Sequence, residues 1–145
     1  MTRCLRAVFN TNVIIAALRT ENPSSPTAEL LRRWVNDEFE LIYCAGLRDE
    51  YVEKFSERRI DPDRAIEFLT RLNRAGILVV VNADQIAPVV VQDADDDLPL
   101  ACAQIGGATH LVSYGQHYAF LEGEYRDVKI VDGLHFLYLV RGDKI

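Results

Sequence analysis

The sequence predicts an α/β protein: a three-layer α/β/α arrangement with a central, mostly parallel sheet flanked by helices. Short apolar, β-rich runs alternate along the chain with segments of helical apolar spacing, and turn residues or glycines separate them. That alternation requires right-handed crossovers and therefore parallel strands. Size and composition agree, because 145 residues, 49% of them apolar and 26% charged, suit a single domain over 1–145 with a real core. No low-complexity run or internal repeat breaks the pattern.

The elements follow in order. "LRAVF" (5–9) is a short apolar run suited to a strand buried on both faces, and "VIIAALR" after it suits a helix despite its β-branched residues. "TENPSSP" is a loop with two prolines and a serine pair, followed from about Thr27 by a helix with Leu30, Leu31 and Trp34 on one face. "FELIYC" (39–44) alternates and reads as the second strand. From Leu47 to about Ser56 a helix sets Leu47, Tyr51 and Phe55 at i, i+4 and i+8. "DPDRAIEFLTRLNRAG" opens on an Asp-Pro start signal, repeats apolar residues at Ile66, Leu69 and Leu72, and stops at Gly76. "ILVVV" (77–81) is the third strand. "DADDDLPLACAQIGGA" is a helix ended by Gly106 and Gly107, then come the strand "HLVS", a loop, the strand "VKIVD" and a terminal helix "GLHFLYLV". That last helix is more apolar than a domain edge needs, so it docks into the sheet or into a homodimer interface.

Open parallel sheets bind ligands beyond the carboxyl ends of their strands. Those positions hold Asn10, Cys44 with the helix behind it, the Asp cluster and the "SYGQ" turn.

Composition narrows the function classes. A net charge of -6 argues against broad non-specific attraction to nucleic acid, although a local basic patch remains compatible with it. Seven of the sixteen basic residues (Arg48, Lys54, Arg58, Arg59, Arg64, Arg71, Arg74) lie between 48 and 74, and none lies from 75 to 125. Cys4, Cys44 and Cys102 show no metal-binding spacing and read as small core hydrophobes in a reducing, cytoplasmic compartment. Arg3 and Arg6 precede an apolar run that Asn10, Thr11 and Asn12 break, which makes a poor signal peptide. No apolar stretch reaches the length of a membrane span. A phosphatase or nucleotide hydrolase is a weak expectation, since no Gly-rich phosphate loop is present.

Asp93, Asp95, Asp96 and Asp97 stand just before and at the start of a helix. One or two acids there cap the helix and complement its dipole, each contributing roughly 0.3 to 1 kcal/mol. Four acids within five residues repel one another, an arrangement that a cation or a basic partner offsets. Glu50 lies one residue before Tyr51, near the edge of the apolar face, and either pairs with Lys54 at i+4 or turns toward a site.

"VFNTNVIIAAL", "CAGLRDEYVEKF" and "DADDDLPLACAQIGGATHLVS", in this order and spacing, resemble the PIN domain family. The likeness runs from about residue 5 to residue 139 and is in particular to the small bacterial and archaeal PIN proteins known as toxins of toxin–antitoxin pairs. No single piece is specific, and the likeness rests on their order and spacing together.

The resemblance implies a PIN-like fold and RNA cleavage by carboxylates gathered around Mg²⁺ or Mn²⁺. It places the family's helix glutamate at Glu50 and its third acid at Asp96 as catalytic and metal-binding residues. Thr11, Asn12 and Ser113 fall on supporting positions. Two acids are missing: the first family aspartate is Asn10, and the acid expected after the fourth strand is Gly115. An amide oxygen supplies a ligand atom without charge, so Asn10 is a weakened ligand, and Gly115 offers only backbone. Asp93 and Asp97, within one helical turn of Asp96, are candidate substitutes. His117, two positions past Gly115, either offers a nitrogen ligand or is an ordinary surface or hydrogen-bonding histidine.

Arg48, Lys54, Arg58 and Arg59 could contact an RNA backbone or a partner, or belong to a solvated face interleaved with acids. Tyr114, Tyr118 and Phe120 could stack on bases or pack under their loop. The expectation is therefore a PIN-type ribonuclease toxin of reduced activity with an antitoxin partner and a homodimeric state. The competing expectation is an inactive PIN fold that binds RNA or protein.

Overall fold

The computed structural model describes residues 4–90 and 93–143. Arg3 and Gln92, which opens the acidic segment, lie outside the described residues. The order is β1 (Arg6–Phe9), α1 (Thr11–Arg19), α2 (Pro26–Val35), β2 (Glu40–Tyr43), α3 (Ala45–Glu57), α4 (Pro62–Ala75) and β3 (Ile77–Leu78). It continues with α5 (Asp97–Ile105), β4 (His110–Val112), β5 (Glu124–Tyr125), β6 (Val128–Val131) and α6 (Gly133–Arg141). The strands form one sheet in the order β3-β2-β1-β4-β6-β5, parallel throughout except for β5, which pairs antiparallel with β6.

Successive residues of a strand face opposite sides of a sheet. Ala7, Val8 and Phe9 are nevertheless all fully buried, so both faces of β1 are covered, as its continuous apolar run predicts. Phe136 of α6 sets its ring edge-on to Phe39 at 5.2 Å and to Phe9 at 6.0 Å. The terminal helix thus docks onto the sheet, leaving Leu134 and Leu139 partly exposed. A second aromatic group joins the helices, with Phe68 of α4 against Trp34 of α2, Tyr51 and Phe55 of α3.

The helix starts follow the capping chemistry of the sequence. Ser25 and Asp61 cap α2 and α4, each followed by proline at the first turn, and Asp132 Oδ1 accepts from His135 N at 2.8 Å to begin α6. Leu47, Tyr51 and Phe55 form the buried face of α3 as their spacing predicts.

Some expectations are corrected. The strand expected at 77–81 pairs only over Ile77–Leu78, because its partner β2 ends at Tyr43 and the last bond, from Val79 N to Tyr43 O, leaves nothing beyond to pair with. The inner face of α4 is Ala65, Phe68 and Leu72; Ile66 points outward at 62% exposure. Cys4 is exposed, whereas Cys44 and Cys102 are buried. Among the described residues no helix is long and apolar enough to cross a membrane.

Candidate functional site

Registry at the carboxyl ends of the central strands builds the site. Phe9 pairs with Val112 and Val112 with Val131, so the three strands end level. Asn10 and Ser113 are the next residues outward, and both are buried. Asn10 N donates to Val112 O at 2.9 Å and Ser113 N donates to Val131 O at 3.0 Å, which extends the ladder past the strands and fixes both side chains.

Asn10 uses both ends of its amide. Its Oδ1 accepts from Thr11 N at 2.8 Å, capping α1, and its Nδ2 donates to Ser113 Oγ at 2.9 Å. Asn12 makes a reciprocal pair with the backbone of Tyr114, donating Nδ2 to the carbonyl at 2.8 Å and accepting from the amide at 3.2 Å. Together these neutral bonds pin the start of α1 to the loop after β4.

Glu50 turns inward from α3. Thr11 Oγ1 donates to its Oε2 at 2.8 Å. The expected partner Lys54 pairs with Glu57 instead, at 3.0 Å. Burial holds the Glu50 carboxyl above its ordinary range; the Thr11 hydroxyl opposes that shift, and the charge of Asp95 adds to it. The supporting backbone is set by Tyr51, whose hydroxyl donates to the Phe9 carbonyl deep in the core.

The acidic segment divides its labour. Asp93 Oδ1 accepts from Asp95 N at 3.0 Å and opens a 3-10 turn over Ala94–Asp96 that leads into α5. Asp97 is buried and its Oδ1 accepts from Val89 N and Val90 N, at 3.0 and 2.6 Å, so this carboxylate anchors the preceding chain. Asp96, 7% exposed, meets His117 Nδ1 through its Oδ2, and Tyr118 OH donates to its carbonyl at 2.8 Å. Burial raises the Asp96 carboxyl, while the His117 hydrogen bond pulls it back down. The same burial and the charge of Asp96 push the Tyr118 hydroxyl upward.

Gly115 sits at φ +90°, a backbone conformation in which side-chain-bearing residues are strained, and the turn there returns His117 to the acids. The ligand atoms of Asp93, Asp96 and His117 all lie within 4.8 Å of one another. Two ligands of one cation at about 2.1 Å from it stand at most about 4.2 Å apart, so small side-chain rotations suffice. Two carboxylates and an imidazole are competent donors, and these residues fit a divalent cation.

With that geometry in place, the comparison with known families is decisive, since a profile of the PIN domain matches residues 6–117. The chain belongs to the PIN domain family. No curated protein matches the chain. PIN domains are nuclease-like and in general depend on divalent metal, and Asp93, Asp96 and His117 are the residues whose possible ligand atoms cluster here.

Sequence reasoning alone did not reach the role of Tyr118 as a support beneath the Asp96 turn, nor the anchoring role of Asp97. A tyrosine that closes such a turn has no local signature, because its partner lies 22 residues away. Arg48, Arg58 and Arg59 are exposed. Of these, Arg58 closes α3 and Arg59 adopts φ 52° in the turn that follows, so part of this basic stretch serves the chain reversal before α4.

Proposed function

We propose that this PIN domain is a divalent-metal-dependent endoribonuclease of reduced activity, the toxin half of a toxin–antitoxin pair. The observation that carries it is the gathering of acids at the carboxyl edge of the sheet, where Glu50 turns inward onto the Thr11 hydroxyl and the ligand atoms of Asp93 and Asp96 lie within 4.8 Å of each other. The carboxyls of Glu50 and Asp96 are raised chiefly by burial, a perturbation common where acids are grouped for chemistry.

Glu50 and Asp96, with Asp93 nearby, would hold Mg²⁺ or Mn²⁺; when bound, such an ion activates water and offsets phosphate charge. Thr11 orients Glu50, and Tyr118 and His117 orient Asp96. Asn10 is a weak ligand at most, because its oxygen already caps α1 and its nitrogen faces Ser113. That commitment, with Gly115 at the second missing acid, supports reduced turnover.

An antitoxin segment that is apolar and acidic suits the cavity of about 690 Å³ between α2 and α4, which has Trp34 and Phe68 in its wall and Arg32, Arg71 and Arg74 around it. The partly exposed Leu134 and Leu139 of α6 support a homodimer through that helix.

The test is cleavage of generic single-stranded RNA in Mn²⁺, against chelator and against Glu50→Ala purified identically. Slow cleavage by the wild type alone is expected, and equal rates in the two proteins overturn the proposal. The neutral Asn10–Ser113 network favours a second reading, an inactive PIN fold that binds RNA; it predicts salt-dependent RNA binding with no cleavage.

A further inference from the structure

We propose that Asp93, Asp96 and His117 form a mixed carboxylate–imidazole site for one divalent transition-metal cation, displaced from the position that four carboxylates would define and selective for Mn²⁺ or Zn²⁺ over Mg²⁺. The inference deepens the function proposed above, because Asp96 belongs to both constellations.

Three independent features converge. First, the residues come from two separate segments: the turn before α5 supplies both aspartates, and the loop after β4 supplies the histidine. Sequence-local capping explains Asp93 alone, through its bond to Asp95 N. It does not explain why a histidine 21 residues beyond Asp96 folds back onto it.

Second, Asp96 is 7% exposed, and among the described residues His117 is the sole side chain that bonds to its carboxylate, through Oδ2. Its Oδ1 receives no donor there. That oxygen is not among the sealed, unsatisfied atoms of the described residues, so it stays open to a further ligand. No Lys or Arg is among the main influences on Asp96; they are His117 and the carboxylates of Asp93 and Asp95. A cation placed between Asp96 and His117 takes the place of the hydrogen bond between them and offsets the repulsion of the aspartates.

Third, the positions that would carry a four-carboxylate site are closed to it. The Asn10 amide is spent on Thr11 and Ser113, and Gly115 at φ +90° disfavours an acid. The turn at Gly115 instead delivers His117. Imidazole is a poor ligand for Mg²⁺, which prefers hard oxygen donors, and a better one for first-row transition metals, Zn²⁺ well above Mn²⁺.

The test is metal binding by the RNA-free protein, read calorimetrically for Mg²⁺, Mn²⁺ and Zn²⁺ and by pulsed electron paramagnetic resonance of bound Mn²⁺. Wild type should bind Mn²⁺ at least about tenfold tighter than Mg²⁺ and show nitrogen coupling from a ligating imidazole. In His117→Ala the preference and the coupling should vanish with circular dichroism unchanged, whereas the surface variant His135→Ala should keep both. Absence of nitrogen coupling in the wild type, or an unaltered preference in His117→Ala, overturns the site. Binding with the predicted preference but no RNA cleavage leaves the metal site standing and defeats the nuclease proposal. Cleavage without nitrogen coupling does the reverse.

Discussion

Asn10 Nδ2 donates to Ser113 Oγ at 2.9 Å, joining the ends of the two central strands by a neutral bond at the carboxyl edge of the sheet. An aspartate at residue 10 would keep the cap on Thr11 N, and the Ser113 hydroxyl, now directed at the Tyr114 carbonyl at 3.2 Å, could turn to donate to it. Asn10→Asp is therefore expected to fold with stability within about 1 kcal/mol of wild type, since Asn and Asp are equivalent N-caps, and to tighten Mn²⁺ binding. Urea denaturation and calorimetry check the two halves separately.

Gly115→Asp, by contrast, is not a route to a restored site. Its φ of +90° charges a side-chain-bearing residue roughly 1 to 2 kcal/mol, although a Cβ there meets His117 Cδ2 at an ordinary 3.5 Å. The expected outcome is a lowered urea midpoint and weaker metal binding, because the turn that carries His117 shifts. An unchanged midpoint would remove the backbone argument.

Tyr118→Phe deletes only the hydroxyl that donates to the Asp96 carbonyl at 2.8 Å. Loss of that buried bond should cost about 1 to 2 kcal/mol, and it should weaken metal binding more than Phe120→Ala, a change at an exposed ring. Equal effects from the two variants would mean that Tyr118 does not support the turn.

Phe136→Ala tests whether α6 is part of the core. Phe136 is fully buried against Phe9 and Phe39, and its truncation should cost about 3 to 5 kcal/mol in urea denaturation. A cost below about 1 kcal/mol would mean that α6 only rests against the sheet.

A pH dependence follows from the same helix. Arg141 and Arg33 hydrogen-bond to Glu29 and hold its carboxyl at about 2, against an ordinary 4.5. A depressed carboxyl stabilises the fold above the unfolded value, and that contribution is lost as pH falls from 4.5 toward 2. Glu29→Gln should therefore lower the urea midpoint at neutral pH, by an amount of about 1 kcal/mol, and the gap from wild type should close across that acid range.

Much of the fold was legible because apolar periodicity and caps act locally. Leu47, Tyr51 and Phe55 face inward as their spacing requires, and Asp61-Pro62 starts a helix where it should. The third strand was over-read because its length depends on where β2 stops, which is a property of the partner and not of Ile77–Val81. Beside the apolar face of α3, Glu50 had two orientations open to it, and its turn to Thr11 instead of Lys54 depends on a residue 39 positions away. The division of the acids was not legible either: Asp97 is drawn away by the amides of Val89 and Val90, and Asp96 is drawn toward His117 by a turn whose glycine conformation has no sequence signal of its own.

The central claim is that Glu50 and Asp96 still form a working, if weakened, catalytic edge. The measurement that tests it most directly is the single-turnover rate of end-labelled single-stranded RNA cleavage in Mn²⁺ by wild type, Glu50→Ala and Asn10→Asp prepared side by side. A slow wild-type rate, abolished in Glu50→Ala and raised at least about tenfold in Asn10→Asp, is predicted from the added charge at the metal. Rates in wild type and Asn10→Asp that do not differ from Glu50→Ala would contradict it.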